Sequence, residues 1–243
     1  GNAHYQEAFG PLIEGVKYAE INDLDSVEAL LNEKTAAIIV EPVQGEGGVY
    51  VCSKEFLTGL RKLCDERDIA LILDEVQCGM GRTGTIMTYF QYDILPDILC
   101  LAKGIGAGFP MGAFVANKKF AAAMEPGDHG STYGGNPMAG QACRTVFKIL
   151  EDTKMIDHVQ DISEYLIEKL DDLQEEFPCI KERRGLGLMI GLEFDKPVKD
   201  IVKTCLDLGL IVVTAGPHVV RMLPPFITTE KDVDQAIAIL KEA

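Results

Sequence analysis

Three short runs that are almost wholly apolar, TAAIIVE (35–41), IALILDE (69–75) and DILCLA (97–102), constrain this chain most, because each stops abruptly at an ionisable residue. Such continuous runs suit strands buried on both faces of a parallel sheet. The stretches between them look helical. DLDSVEALLNE (23–33) carries acidic residues in its first turn, and Ser53 can cap KEFLTGLRKLCDERD, whose leucines and phenylalanine share one face. Helix, strand, helix, strand predicts an α/β fold: a mostly parallel sheet with right-handed crossovers and helices on both faces. In such sheets ligands bind outside the carboxyl ends of the strands. Glu41, Asp74 and Lys103 stand at or just past three such ends, so three ionisable groups from separate strands are expected to point at one crevice.

Beyond residue 117 the texture changes to a Gly/Ser/Thr loop, GDHGSTYGGNP (127–137), and then to long amphipathic helices from about 137 to 177. The tail mixes short strands (LMIGLEF, GLIVV, HVVRML) with helices at about 196–208 and 229–242, which reads as a smaller α+β domain. The expected division is a partial large domain over 1–145 and a small one over 146–243. A net charge of −15, from 38 acidic and 23 basic residues, disfavours nucleic acid and anionic membrane surfaces as partners. No apolar stretch approaches the roughly 20 residues that cross a bilayer, and the amino end lacks a basic-then-apolar leader. Small molecules or other protein chains are the expected partners, and the cytoplasm the expected location. The seven cysteines contain no C-x-x-C pair, which suits a reducing compartment and indicates neither a disulfide framework nor a zinc knuckle. His4, His129, His158 and His218 show no metal-ligand spacing, so no metal is assigned.

Lys103 is the chemically suggestive residue. Lysine forms Schiff bases with carbonyls near neutral pH when desolvation or a cationic neighbour lowers its pKa, and the apolar strand end is expected to desolvate it. Gly104, Gly106 and Gly108 then let backbone pass close to a bulky group. A lone lysine at a strand end would instead be read as one that snorkels to solvent. Asp74 changes that balance, since a carboxylate at a neighbouring strand end is what the ring nitrogen of pyridoxal phosphate needs to stay protonated. By itself Asp74 would be an ion-paired or capping aspartate. QCGMGRTG places Gly79, Gly81 and Gly84 in a G-x-G-x-x-G pattern just after a strand, a dinucleotide-binding turn in form. It ranks lower because Asp74 and Glu75 would face a pyrophosphate and TIMTYFQYD is a poor amphipathic helix. EPVQGEGG reads as a turn dominated by Pro and Gly. HGSTYGG offers Ser131 and Thr132 to a phosphate, though ordinary turn chemistry explains it equally well. Arg221, on the apolar strand VVRMLPPF, seeks a carboxylate for its planar fork, from either a ligand or a structural ion pair.

Together, EPVQGEGG, LILDEVQCGMGRTG, LAKGIGAGFPMGA, HGSTYGGNP and VVRMLPP occur in the order and with the spacings of class III pyridoxal-phosphate aminotransferases. The chain resembles that family over nearly its whole length, RGLGLMIGLEF and AGPHVVRMLPPFITTE included. The resemblance implies a fold-type-I transferase in which Lys103 carries pyridoxal phosphate through a Schiff base and shuttles the substrate's proton. It implies that Asp74 pairs with the ring nitrogen, Val76 packs on a ring face and Gln77 approaches the phenolic oxygen. Thr132, with Ser131 beside it, would contact the phosphate of a neighbouring subunit's cofactor, which makes a homodimer the implied assembly. Arg221 would hold the substrate's α-carboxylate, and Glu46 would pair with Arg221 when the other substrate is bound. The implied reaction moves an amino group from N-acetylornithine to 2-oxoglutarate, in arginine biosynthesis; ornithine, succinylornithine and 4-aminobutyrate are the alternative donors. The family's phosphate-cradling loop and ring-stacking aromatic are absent, so the chain is expected to be the carboxyl-terminal part of the enzyme. Two readings of other classes remain open: an NAD-binding oxidoreductase built on the Gly79–Gly84 loop, and a catalytically silent fragment.

Overall fold

The computed structural model describes residue 1 and residues 6–243. Helix α1 (Leu24–Leu30) starts at Asp23, whose carboxylate accepts from the Ser26 amide, and is shorter than predicted because Leu31 turns to extended backbone. Strand β1 (Ala37–Val40) leads to helix α2 (Lys54–Arg67), which Ser53 caps as expected by accepting from the Phe56 amide. Asp68 ends α2 in the left-handed region, and β2 (Ala70–Asp74) follows. Strands β3 (Ile98–Leu101) and β4 (Ala113–Ala116) complete a sheet in the order β1-β2-β3-β4. The first two pairings are parallel, as predicted, whereas β3 and β4 are antiparallel. Strand β4 has no counterpart in the sequence reading.

The crossover from β2 to β3 contains no α-helix. A glycine-rich loop and a 3-10 turn at Thr88–Gln91 make it, tied down by Glu75, whose fully buried carboxylate accepts from the Thr88 and Tyr89 amides at 2.6 and 2.7 Å. No helix opens at Gly84, so the G-x-G-x-x-G pattern lacks the helix N-terminus a pyrophosphate needs. Phe56, Leu57 and Leu60 of α2 share one core with Leu71, Leu73, Leu99 and Leu101 of the sheet; each such side chain contributes about 1.5–3 kcal/mol by leaving water. Among the described residues the helices that pack on this core lie on one face of the sheet. The opposite face carries Ile39, Ile72, Asp74, Ile98, Cys100 and Phe114 in register and stays half-buried or exposed, with Ile39 at 64% and Phe114 at 47%. An apolar run predicts a strand that needs cover but not which segment covers it.

After the short α3 (Lys118–Ala121), helix α4 (Pro137–Asp152) begins at Asn136, whose side-chain oxygen accepts from the Met138 and Ala139 amides. Helix α5 (Met155–Glu176) packs Val159, Ile162, Leu166 and Leu170 into a second core, with Ile190, Leu192, Val220 and Met222 of a second sheet. That sheet is antiparallel throughout, in the order β5 (Ile180–Leu186), β6 (Met189–Phe194), β8 (Val219–Met222), β7 (Val213–Thr214). Strand β5 is a further element the sequence reading missed, and GLIVV contributes only its final valine to β7. Helices α6 (Lys199–Asp207) and α7 (Glu230–Glu242) occupy the predicted positions, α7 with a Thr229/Asp232 capping box.

A third apolar cluster, Val43, Val49, Cys78, Met189, Ala215 and Val219, packs the loops that follow β1 and β2 against β6 and β8 of the second sheet. Arg82 bridges the same halves: Nη1 donates to the carbonyls of Leu188 (3.1 Å) and Pro224 (2.6 Å), and the guanidinium lies 4.6 Å from the Phe226 ring centre. Burial pulls the Arg82 pKa down to about 10, and among the described residues no carboxylate pairs with it. Among those residues no helix is long and apolar enough to cross a membrane, and no three His, Cys, Asp or Glu side chains gather as a metal requires. His4 lies outside the described residues.

Candidate active site

Parallel pairing fixes the site's floor. Val40 is level with Leu73 and Asp74 with Cys100, so Glu41, Asp74 and Lys103 emerge at the same edge of the sheet. Glu41 therefore feels the charge of the other two. Burial lifts Glu41 above its ordinary value of 4.5, the Gly45 amide that donates to Oε2 at 3.0 Å opposes this, Asp74 adds to the rise and Lys103 counters it. Asp74 is half-buried, and its Oδ1 accepts from the Val76 amide at 3.0 Å, which also sets Val76 beside it.

Lys103 departs from expectation. It is exposed, not desolvated by the strand end, because its backbone leaves β3 directly into a 3-10 turn with φ of 48°. A left-handed non-glycine residue costs roughly 1–2 kcal/mol, so the turn holds Lys103 against a local preference.

The loop after Glu41 folds back on itself. Val43 bridges Val51, the Gln44 amide donates to the Tyr50 carbonyl (2.8 Å) and the Cys52 amide to the Pro42 carbonyl (2.9 Å). Its tip carries Glu46 and then Val49, a buried β-branched residue at φ of 57°. Val49 fits only because Gly191 lacks a side chain; a Cβ there would lie 2.9 Å from the Val49 Cβ. Seating Val49 brings Glu46 to Arg221 of β8, which is level with Gly191. Arg221 Nη1 donates to Glu46 Oε1 at 2.7 Å and to Gln77 Oε1 at 2.9 Å. The Gln77 amide nitrogen faces the same Glu46 oxygen at 3.5 Å. Gly45 makes room for this, since a Cβ on it would stand 2.0 Å from that nitrogen.

The hydrogen bond from Arg221 holds the Glu46 carboxyl below its ordinary 4.5, with Lys103 adding a smaller pull. Lys103 is thus within electrostatic reach of the Arg221–Glu46 pair as well as of Glu41. Glu46 is 67% exposed while Arg221 is 9% exposed, so the carboxylate is free to leave and the guanidinium is not. Arg221 Nε is buried without an acceptor among the described residues. An arginine half satisfied at the edge of a crevice is suited to receive a carboxylate.

Six sequence-predicted residues therefore come together: Asp74, Val76, Gln77, Lys103, Arg221 and Glu46. Ser131 and Thr132 do not join them within this chain. They stand in an exposed turn before α4, and their hydroxyls make no hydrogen bond among the described residues. Sequence reasoning missed the Gln77–Arg221 contact and did not single out Arg184 of β5. Arg184 is buried, donates from Nε to the Gly48 carbonyl at 2.7 Å and stacks 4.1 Å over the Tyr50 ring. Its one signal was an arginine beside a glycine in a charged segment flanked by apolar runs.

Comparison with known proteins identifies the family. Residues 2–243 match the family described as aminotransferase class-III. The acetylornithine aminotransferase of Clostridium acetobutylicum is 47% identical over 244 residues, covering 100% of this chain and 63% of that protein. Among solved structures, the N-acetylornithine aminotransferase of Stenotrophomonas maltophilia superposes with a TM-score of 0.83 at 35% identity, covering 93% of this chain and 61% of that one. The ornithine delta-aminotransferase of Plasmodium falciparum gives 0.88 at 32%, covering 96% and 62%. The chain thus spans a little over three fifths of the length of these three relatives. With strand-end Asp74 and Lys103 facing an Arg221–Glu46 pair, and with a match running from residue 2 to residue 243, the chain belongs to the class-III aminotransferase family.

Proposed function

We propose that the whole protein transfers an amino group from N-acetylornithine to 2-oxoglutarate, giving glutamate and an N-acetylated semialdehyde, as a step of arginine biosynthesis. The observation that carries this reading is the meeting, at one sheet edge, of Asp74 and Lys103 with an arginine whose partner carboxylate is exposed and releasable. The enzyme must accept in one site a donor whose amine-bearing carbon carries no carboxylate and an amino acid, glutamate, whose amine-bearing carbon carries one. Arg221 binds the carboxylate; Glu46 covers Arg221 when none is present.

Pyridoxal phosphate fits the residues present. Lys103 offers an exposed amine, and Asp74 keeps Oδ2 free of protein donors among the described residues. When bound, the cofactor supplies the electron sink that lets the substrate's α-hydrogen leave as a proton. Lys103 would hold it and carry that proton from the α-carbon, Asp74 would keep its ring nitrogen protonated, Val76 would pack on a ring face and Gln77 would lie near its phenolic oxygen. The exposed Ser131 and Thr132 suit the phosphate of a second copy's cofactor, so the working assembly is a homodimer, located in the cytoplasm. A large domain over 1–145 and a small one over 146–243 belong to the same reading; the buried residues of the first core run to Leu150 and those of the second begin at Val159, so the two cores part a few residues beyond that boundary.

The relatives' names leave ornithine as a second donor class. Steady-state turnover of N-acetylornithine, ornithine, succinylornithine and 4-aminobutyrate by the full-length protein decides among them. Highest kcat/KM for N-acetylornithine is expected; faster turnover of free ornithine overturns the choice of donor.

A further inference from the structure

We propose that Arg184 is a positioning residue for the Arg221–Glu46 pair and thereby helps set the preference between ligands that carry a carboxylate on the reacting carbon and ligands that do not. This rests on the reading above that the pair discriminates by charge. Arg184 sits on β5, level with Gly191, and reaches out of the small-domain sheet to the Glu46 loop. Its Nε donates to the Gly48 carbonyl, two residues from Glu46, and its plane covers Tyr50 on the loop's return. Its own direction is fixed from behind: Nη1 donates to Glu182 Oε2 at 2.7 Å and to Glu193. A guanidinium clamped between two carboxylates and packed on a ring is a rigid strut, not a roaming surface charge.

The tip of the loop has three tethers: Val49 in its apolar seat, the Arg184–Gly48 bond, and the Arg221–Glu46 bond. In each catalytic cycle the third must break whenever a carboxylate takes Arg221. The first two then decide how near Glu46 waits. With Arg184 in place, Glu46 returns over a short, fixed path, and the closed pair is favoured whenever Arg221 has no ligand. Without it, Gly47 and Gly48 are released, Glu46 samples a wider volume, and Arg221 is more often open to carboxylate.

The test uses the full-length enzyme and two readouts. In Arg184→Gln, the ratio of kcat/KM for glutamate to that for N-acetylornithine is expected to rise about five- to tenfold, the size of change that follows from weakening one charged contact. Arg184→Lys, which keeps the charge but not the fork, is expected to fall between. In a Glu46→Gln background, Arg184→Gln is expected to leave the ratio unmoved, because its effect runs through Glu46. Hydrogen exchange of the peptide spanning residues 44–50, measured without substrate, is expected to accelerate in Arg184→Gln while the α2 and β2 peptides hold. An equal loss for both substrates, a shift that persists without Glu46, or unchanged exchange over 44–50 overturns the proposal. Should the wild-type enzyme turn over neither substrate, the functional reading fails instead, and the exchange measurement still decides whether Arg184 braces the loop.

Discussion

Asp97 stands at the start of β3, whose far end presents Lys103, and three elements meet on its carboxylate. Oδ2 accepts from the Leu71 amide of β2 and from Arg61 Nη1 of α2, both at 2.8 Å; Oδ1 accepts from Asn117 Nδ2, just past β4, at 2.6 Å. Burial alone would push its pKa up, but the Leu71 amide, Arg61 and Asn117 outweigh it and hold the carboxyl below its ordinary 3.8. Asp97→Asn removes the charge and one acceptor. Hydrogen bonds to a charged group contribute about 1.5–3 kcal/mol each, and a neutral amide recovers about 1 kcal/mol of that. Arg61 keeps Asp65 at 2.8 Å, so its charge is not stranded, and the cost stays under the roughly 3–5 kcal/mol of a fully broken buried pair. The expected destabilisation is about 2–3 kcal/mol, read from the urea midpoint by circular dichroism with the slope unchanged. Because the folded-state pKa is depressed, this stability is present above the unfolded value near 3.8 and is lost as pH falls through the folded one. The gap between wild type and variant should therefore shrink from pH 7 towards pH 3. A cost below about 0.5 kcal/mol at neutral pH, within the usual range for an uninvolved surface site, or a gap that ignores pH, refutes the reasoning.

Three further outcomes are expected. Borohydride reduction of the protein with pyridoxal phosphate should place the label on Lys103, and Asp74→Ala should abolish it; label scattered over surface lysines in peptide mass spectra contradicts the site. Glu46→Ala should raise the preference for glutamate-like over ornithine-like substrates several-fold, a modest change because Glu46 is largely exposed, and unchanged relative kinetics would sink the role given to the pair. Gly191→Ala should push Val49 from its seat, at about 1–3 kcal/mol for overpacking, seen as a thermal midpoint lower by several degrees; an unchanged midpoint means the loop yields freely.

The strand ends were legible because apolar runs stop sharply at charges, and those charges fell on one edge once the sheet proved parallel there. Strand β4 was not legible: Pro110 and Gly112 run up to it, and Phe114 and Val115 both stay exposed, so no buried run marks it. Strand β5 hid behind KERR, whose arginines pair with Asp171 and Glu193. The apolar strand predicts a desolvated Lys103, but exposure is decided at Lys103 itself, where the backbone turns left-handed. Motif order placed Arg221 and Glu46 together across 175 residues. It did not place Gln77 between them or Arg184 behind them, because those contacts depend on how two separately built sheets meet.

Arg82 and Arg221 cross between the same two halves of the chain by opposite means. Arg82 is answered by carbonyl dipoles and a ring, so its grip contains no acid to protonate and no counter-charge for salt to screen. Arg221 is answered by a carboxylate in solvent, which salt, acid or a competing anion can displace. The chain thus carries a permanent pivot beside an electrical contact built to open, and the conditions that open the second leave the first untouched.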